Sequence, residues 1–271
     1  MFKRTAAVAG ITAALMLSGC TGDGDDPTDP GSSAAPAELE IHPEAAEYLT
    51  VTESGFTVAP GEDGEFTVSY AIVLENANPD YAAYRVGVDV GWLDAAGEPI
   101  EVLPPEGGPV REHAVMWVAP GAVWVLADVV SVADEPTEFA LGFSEEDSFN
   151  RWLAVDRLNE VGELTVTDAD VFEPGDRDAA SWWQAELTVD SGFGESLNGV
   201  NLAMVLRDAD GAIVGGNRTY GAEQPTINYG ENLVSLTTPE DLIPETADLQ
   251  QSQYYAQLTW NTVWEPVVKS D

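Results

Sequence analysis

The one thiol in this 271-residue chain belongs to Cys20, directly after Leu17-Ser18-Gly19. A lone thiol can be alkylated or acylated but has no intramolecular disulfide partner. The other side chains that could do chemistry are sparse or unselective. His42 and His113 are the two histidines, and neither stands in a metal-ligand spacing such as H-E-x-x-H, so no metal or cofactor is expected. A catalytic serine would need a histidine base, and no G-x-S-x-G occurs. Lys269 is the only lysine after Lys3, which leaves Schiff-base and phosphate-clamp chemistry without a residue. With 48 Asp and Glu, neighbouring carboxylates arise from composition alone, and no pair stands out as a glycosidase acid and base. Asp208-x-Asp210-Gly211 begins like a calcium loop, but Ala212-Ile213-Val214 follows where an EF-hand needs further ligands. A turn explains it better, although a cation site built from several loops stays open. Trp182 and Trp183 are adjacent, so in a strand they face opposite sides and one can be exposed for stacking. Trp92, Trp117, Trp124, Trp260 and Trp264 lie in apolar stretches and read as core.

The setting of Cys20 gives it a role. Lys3 and Arg4 precede an uncharged stretch from Thr5 to Ser18 made mostly of Ala, Val, Ile, Leu and Met. A basic start, a short apolar run and a small-residue cleavage point describe an export signal. The run is too short to cross a bilayer, which takes ~20 apolar residues. Leu17, Ser18, Gly19 and Cys20 together resemble the lipobox of bacterial lipoproteins. The resemblance implies cleavage before Cys20, a diacylglyceryl thioether on its sulfur, and a membrane anchor at the extracellular face. It makes residues 1–19 a signal peptide.

Cleavage there would remove Lys3 and Arg4 and no acid, moving the formal charge from −38 to −40. Such a surface repels phosphate backbones and anionic headgroups, so nucleic acid is not an expected partner. Residues 20–38 hold Gly, Pro, Ser, Asp and Ala with almost no large apolar side chain, and read as an acidic disordered tether. A flexible chain of that length typically spans ~20–25 Å. The scarcity of Lys and Arg beside abundant Ala, Val, Gly, Asp and Glu resembles an actinobacterial composition.

From Leu39 the pattern changes to short Val-, Ile-, Thr-, Tyr-, Phe- and Trp-rich runs, many alternating with polar residues. Examples are Phe66 to Leu74, Tyr84 to Leu93 and Ala185 to Val189. Turn residues separate them at about 8–12-residue spacing, which predicts an all-β fold of sandwich type. One stretch, Ser144 to Leu158, has a weak capping pattern from Ser144 to Asp147 and places Phe149, Trp152 and Leu153 on one helical face. It predicts a short helix or turn.

The order of these runs repeats at a spacing near 114 residues. Leu49-Thr50-Val51-Thr52-Glu53 returns as Leu164-Thr165-Val166-Thr167-Asp168, and Pro60-Gly61-Glu62 as Pro174-Gly175-Asp176. Val73-Leu74-Glu75-Asn76 matches Leu187-Thr188-Val189-Asp190. Asp94-Ala95-Ala96-Gly97 matches Asp208-Ala209-Asp210-Gly211, and Pro120-Gly121 matches Tyr229-Gly230. The pattern predicts two tandem sandwiches, 39–147 and 160–271, joined by a linker at 148–159. In each Asp-x-x-Gly the Asp can cap its own turn, and Gly97 and Gly211 are expected at positive φ in a type I turn with a G1 bulge. Asn76, Asp94 to Gly97 and Pro120-Gly121 resemble, in their order, the Ig-like lipoprotein domains typified by the FxLYD family. The Phe-x-Leu-Tyr-Asp signature is absent from both halves. The resemblance implies a cell-surface Ig-like β-sandwich and brings no catalytic residues.

These features predict a lipid-anchored extracellular protein acting as a non-catalytic binding or structural module. Its partners would be the membrane, through the anchor, and another envelope protein or a wall component. The alternative is an enzyme or enzyme accessory acting on envelope polymers through carboxylates.

Overall fold

The structure is a computed structural model that describes residues 48–61, 64–104, 108–143, 151–159, 161–174, 182–259, 262, 264 and 266. The fold is all-β, and among the described residues there is no α-helix. All of these residues belong to one compact unit, Ala37–Asp271.

The first half of the chain supplies β1 (Leu49–Pro60), β2 (Phe66–Asn76), β3 (Tyr81–Leu93), β4 (Pro99–Ile100), β5 (Val110–Val118), β6 (Val123–Val132), β7 (Glu138–Phe143) and β8 (Arg151–Ala154). The second half supplies β9 (Leu164–Phe172), β10 (Trp182–Ser191), β11 (Asn201–Arg207), β12 (Ile213–Arg218), β13 (Gly230–Pro239) and β14 (Gln253–Gln257). All pairings between strands are antiparallel. One sheet runs β1-β2-β6, and a second is centred on β3, which pairs with β4, β5, β7 and β8. The second half forms β9-β10-β13 and β12-β11-β14. No described sheet mixes strands from the two halves.

The runs from Phe66 to Leu74, Tyr84 to Leu93 and Ala185 to Val189 fall on β2, β3 and β10, as their alternation predicts. Val68, Tyr70, Ile72 and Leu74 on one face of β2 join Val86, Val88, Val90 and Trp92 of β3 in the main core, where Tyr70 meets Trp92 edge-on at 5.1 Å. The opposite face of β2 is buried as well. Ala71 and Val73 cluster there with Val125 and Ala127 of β6 and with Ala203 and Val205 of β11. The far face of β11 carries Leu202, Met204 and Leu206 into the core with Leu187, Val189 and Leu236 of the last sheet. Asn217 of β12 donates to Thr238 Oγ1 of β13 at 3.0 Å across that layer. The four sheets thus stack in the order β3, β2, β11, β10, and β2 and β11 are apolar on both faces.

Close approach at the central seam requires small residues. β12 lies across β1, β2 and β6. A Cβ on Gly216 would fall 2.7 Å from Tyr70 O and 2.8 Å from Met204 O, and one on Gly55 would collide with Ile213 O. Ser69 replaces a strand partner there: its hydroxyl accepts from Gly216 N–H at 3.0 Å and donates to Gly216 O at 3.1 Å.

The two halves share local detail. β1 has its bulge at Thr52 and β9 has its bulge at Thr167. Each threonine hydroxyl donates to a carbonyl of the neighbouring strand at 3.3 Å, Thr52 to Val73 O and Thr167 to Thr188 O. The sequence match needs one adjustment. Leu49 pairs with Asn76 and Leu164 pairs with Ser191, so the counterpart of Asn76 is Ser191, not Asp190. A one-residue slip would have exchanged the two faces of the strand.

The stretch read as a short helix or turn from Ser144 to Leu158 holds a strand and a turn where it is described. Arg151–Ala154 pairs with Tyr81–Tyr84 of β3, and Val155–Arg157 is a 3₁₀ turn. Part of the segment read as a linker, 148–159, is therefore a strand of the β3 sheet. Trp152 and Leu153 are both buried. An adjacent apolar pair fits a helix stripe and a two-sided strand equally well, and the free edge of β3 decided between them. Ser144, Asp147 and Phe149 lie outside the described residues.

Candidate functional site

The repeated hairpin is the sharpest local prediction. Gly97 has φ of 80° and Gly211 has φ of 86°. In the first turn Gly97 N–H donates to Asp94 O and Asp94 N–H to Glu98 O, both at 3.0 Å. Asp94 Oδ1 accepts from Ala96 N–H at 2.8 Å and Glu98 N–H at 2.9 Å. The second turn repeats each bond: Gly211 N–H to Asp208 O, Asp208 N–H to Ala212 O, and Asp210 and Ala212 N–H to Asp208 Oδ1. This is a type I turn with a G1 bulge, capped by its own aspartate. Among the described residues no group of three or more His, Cys, Asp or Glu is placed to hold a metal ion.

His113 lies in the middle of β5, which pairs with β3 alone. It is buried, and its Nε2 meets Tyr70 Oη at 2.7 Å. Close by, the wholly buried carboxylate of Asp128 accepts from Arg111 Nε at 3.0 Å and from Arg218 Nη2 at 2.9 Å. Burial first, then Arg218 and Arg111, holds the His113 pKa well below its ordinary value. Asp128 and Arg218 come from different halves, so this cluster pins the seam. A second pin is Arg207, whose guanidinium donates to Glu53, to Gly211 O and to Gln253 Oε1.

A broad concave surface in the described part is a groove of about 1510 Å³. One wall is the end of β1 with Thr67 and Ser69 of β2; the other is Trp182, Trp183 and the 239–250 segment. That segment is held by local bonds, Ile243 N–H to Glu240 O and Ala247 N–H to Pro244 O, and by Asp248 N–H to Arg207 O at 2.6 Å. Glu173, Glu240, Asp241, Glu245 and Asp248 line the groove, and its described lining contains no basic side chain. Trp182 is 44% exposed, whereas Trp183 is half-buried. The tryptophan pair does divide between two environments, with one ring offered to solvent.

No protein-family model matches this chain, and no curated protein matches it. Its chemistry therefore has to be argued from its own residues. Cys20, with Leu17, Ser18 and Gly19, lies outside the described residues, as do His42 and Trp260. Trp92, Trp124 and Trp152 are buried; Trp117 and Trp264 are half-buried and meet edge-on at 5.3 Å.

Sequence reasoning missed both the groove and the Arg111–Asp128–Arg218 cluster. The groove joins segments more than a hundred residues apart. The cluster had one signal: the chain has only eight arginines, so each is a scarce cation that a buried carboxylate can claim.

Proposed function

We propose that this chain is a lipid-anchored protein at the extracellular face of a bacterial cell membrane, attached through a diacylglyceryl group on Cys20. Its two tandem Ig-like sandwiches act as a non-catalytic binding module, and the acidic groove receives an extended cationic segment of another envelope protein. The lipobox-like Leu17 to Cys20 and the acidic tether at 20–38 support the anchor and its reach. The matched bulges and hairpins of the two halves support a tandem module.

The single observation that carries the binding reading is the groove. It exceeds the ~300–1,000 Å³ of ordinary small-ligand pockets, so it suits an extended chain better than a metabolite. Five carboxylates with no base in the described lining select a cation. The exposed ring of Trp182 adds a face for Arg or Lys. The formal charge of −38 opposes a nucleic-acid partner.

Two experiments test the reading. Metabolic labelling with a palmitate analogue should mark the wild-type protein and not Cys20→Ser; an unlabelled wild type removes the anchor. Tryptophan fluorescence of the Cys20→Ser protein should change saturably with a lysine-rich decapeptide and weaken with added salt. Trp182→Ala should weaken that binding at least tenfold. Absence of saturable binding at low salt, or equal affinity in the variant, overturns the groove assignment.

A further inference from the structure

β13 forms one edge of the β9-β10-β13 sheet, and that edge is open. It pairs with β10 over Gly230–Pro239 without a register shift. In an antiparallel strand, alternate residues turn their N–H and C=O away from the neighbour they pair with. Among the described residues, no backbone group on that far side of β13 meets a partner from Glu231 to Thr238. A long, straight edge of unpaired groups is a template for one more strand, and proteins usually blunt it.

The other long edges are blunted. β1 and β9 are broken by the bulges at Thr52 and Thr167. β5 sends Arg111 inward to Asp128. At one end of β6, Leu103 N–H donates to Ser131 O and Ala133 N–H to Glu101 O. At its other end the Gln257 amide bonds to both the N–H and the C=O of Val125. β13 has no lysine, arginine or bulge, and its one proline, Pro239, is its last residue. Leu233 sits near the middle of the open edge, and Tyr229 directly precedes the strand. Each is 72% exposed, more than any other large apolar residue described.

Charge decides what fits this edge. Leu233 shares its face of the sheet with Glu231 and, across the ladder, with Asp190, Glu186, Asp168 and Asp170. The three strands contain no Lys, Arg or His. A second copy would bring a formal charge of −38 to that face, whereas basic side chains are drawn to it.

We propose that β13 is a strand-addition site: an extended segment of a partner protein, with basic and apolar residues taking turns along one face, pairs with its open edge. Backbone bonds supply affinity without regard to sequence, and the places beside Glu231 and Leu233 select a basic and an apolar side chain. The inference does not rest on the groove, because Glu231 and Leu233 lie outside its lining.

The test uses the isotope-labelled Cys20→Ser protein and the end-blocked peptide Lys-Thr-Val-Thr-Lys-Thr-Val-Thr-Lys. Amide resonances of β13 should shift saturably, and alternate amides should exchange with solvent at least tenfold more slowly. A peptide with Pro-Pro for the first Val-Thr keeps every lysine but loses a donor toward either side, and should bind at least tenfold more weakly. Leu233→Lys, a change at an exposed position, should weaken binding at least tenfold. Trp182→Ala, in the groove, should leave it unchanged. Saturable protection that is lost in Leu233→Lys supports the site. Equal binding of the two peptides, or a loss in Trp182→Ala but not in Leu233→Lys, overturns it. Protection of the same amides on raising the protein concentration alone would make the occupant a second copy and overturns it as well.

Discussion

At the scale of single residues, backbone sterics and buried charge make the clearest demands. Nothing lies within 4 Å of where a Cβ would stand on Gly97 or Gly211, so substitution there meets strain in φ alone. Gly97→Ala and Gly211→Ala should each cost about 1–2 kcal/mol, measured by urea unfolding. A loss below a few tenths at both would mean that the turn relaxes. These two turns were legible beforehand because an Asp three residues before a Gly is purely local chemistry. His113 was not, because its neighbours come from β2, β6 and β12. Its lowered pKa sets a pH dependence. Above about pH 6.5 the ring is neutral in the folded and unfolded chain and contributes no slope. As pH falls below that value the unfolded chain takes up the proton first, so stability drops until the folded pKa is reached. Acidification below pH 6.5 should therefore destabilise the protein through this group. His113→Gln should remove that part of the acid slope. An unchanged slope would assign the acid sensitivity to other groups.

At the scale of elements, alternation revealed which runs are strands but not what covers them. β2 and β11 read as apolar on both faces, and that burial comes from the opposite half. β8 was read in the wrong period, since four residues with Trp152 and Leu153 at their centre carry too little pattern to separate helix from strand. The Thr52 and Thr167 bulges were visible as repeated text, whereas their shared geometry needed the register of β2 and β10. The most exacting element is β12, which crosses the β1-β2-β6 sheet on glycine. Gly216→Ala should destabilise the protein by about 1–3 kcal/mol, because backbone carbonyls and Ala127 Cβ surround the added methyl. An unfolding midpoint equal to wild type would show that the seam opens to admit it.

At the scale of the whole molecule, the repeated sequence pattern gave a misleading impression of independence. Two similar halves suggest two separate unfolding events. The seam argues for one, since the Ala71, Val73, Val125 and Ala127 cluster is completed by Ala203 and Val205. Ser69, Glu53 and Asp128 also depend on partners from the second half. Calorimetry on the Cys20→Ser protein should therefore show a single transition with matching calorimetric and van't Hoff enthalpies. Two resolved peaks would contradict the coupling.

The outward faces of the middle strands also differ between the two halves. Ser69, Ala71 and Val73 of β2 pair with β1 just as Gln184, Glu186 and Thr188 of β10 pair with β9. The first set is small and apolar enough to accept a neighbouring sheet. The second set is polar at each matching place, on a sheet that also exposes Glu231, Ser235 and Thr237 beside one apolar side chain, Leu233. The terminal unit of a stacked array is recognised by such a water-tolerant outer face. Three polar residues in place of Ser69, Ala71 and Val73 thus suit the face of the last sheet to water, where the same face of β2 is suited to burial.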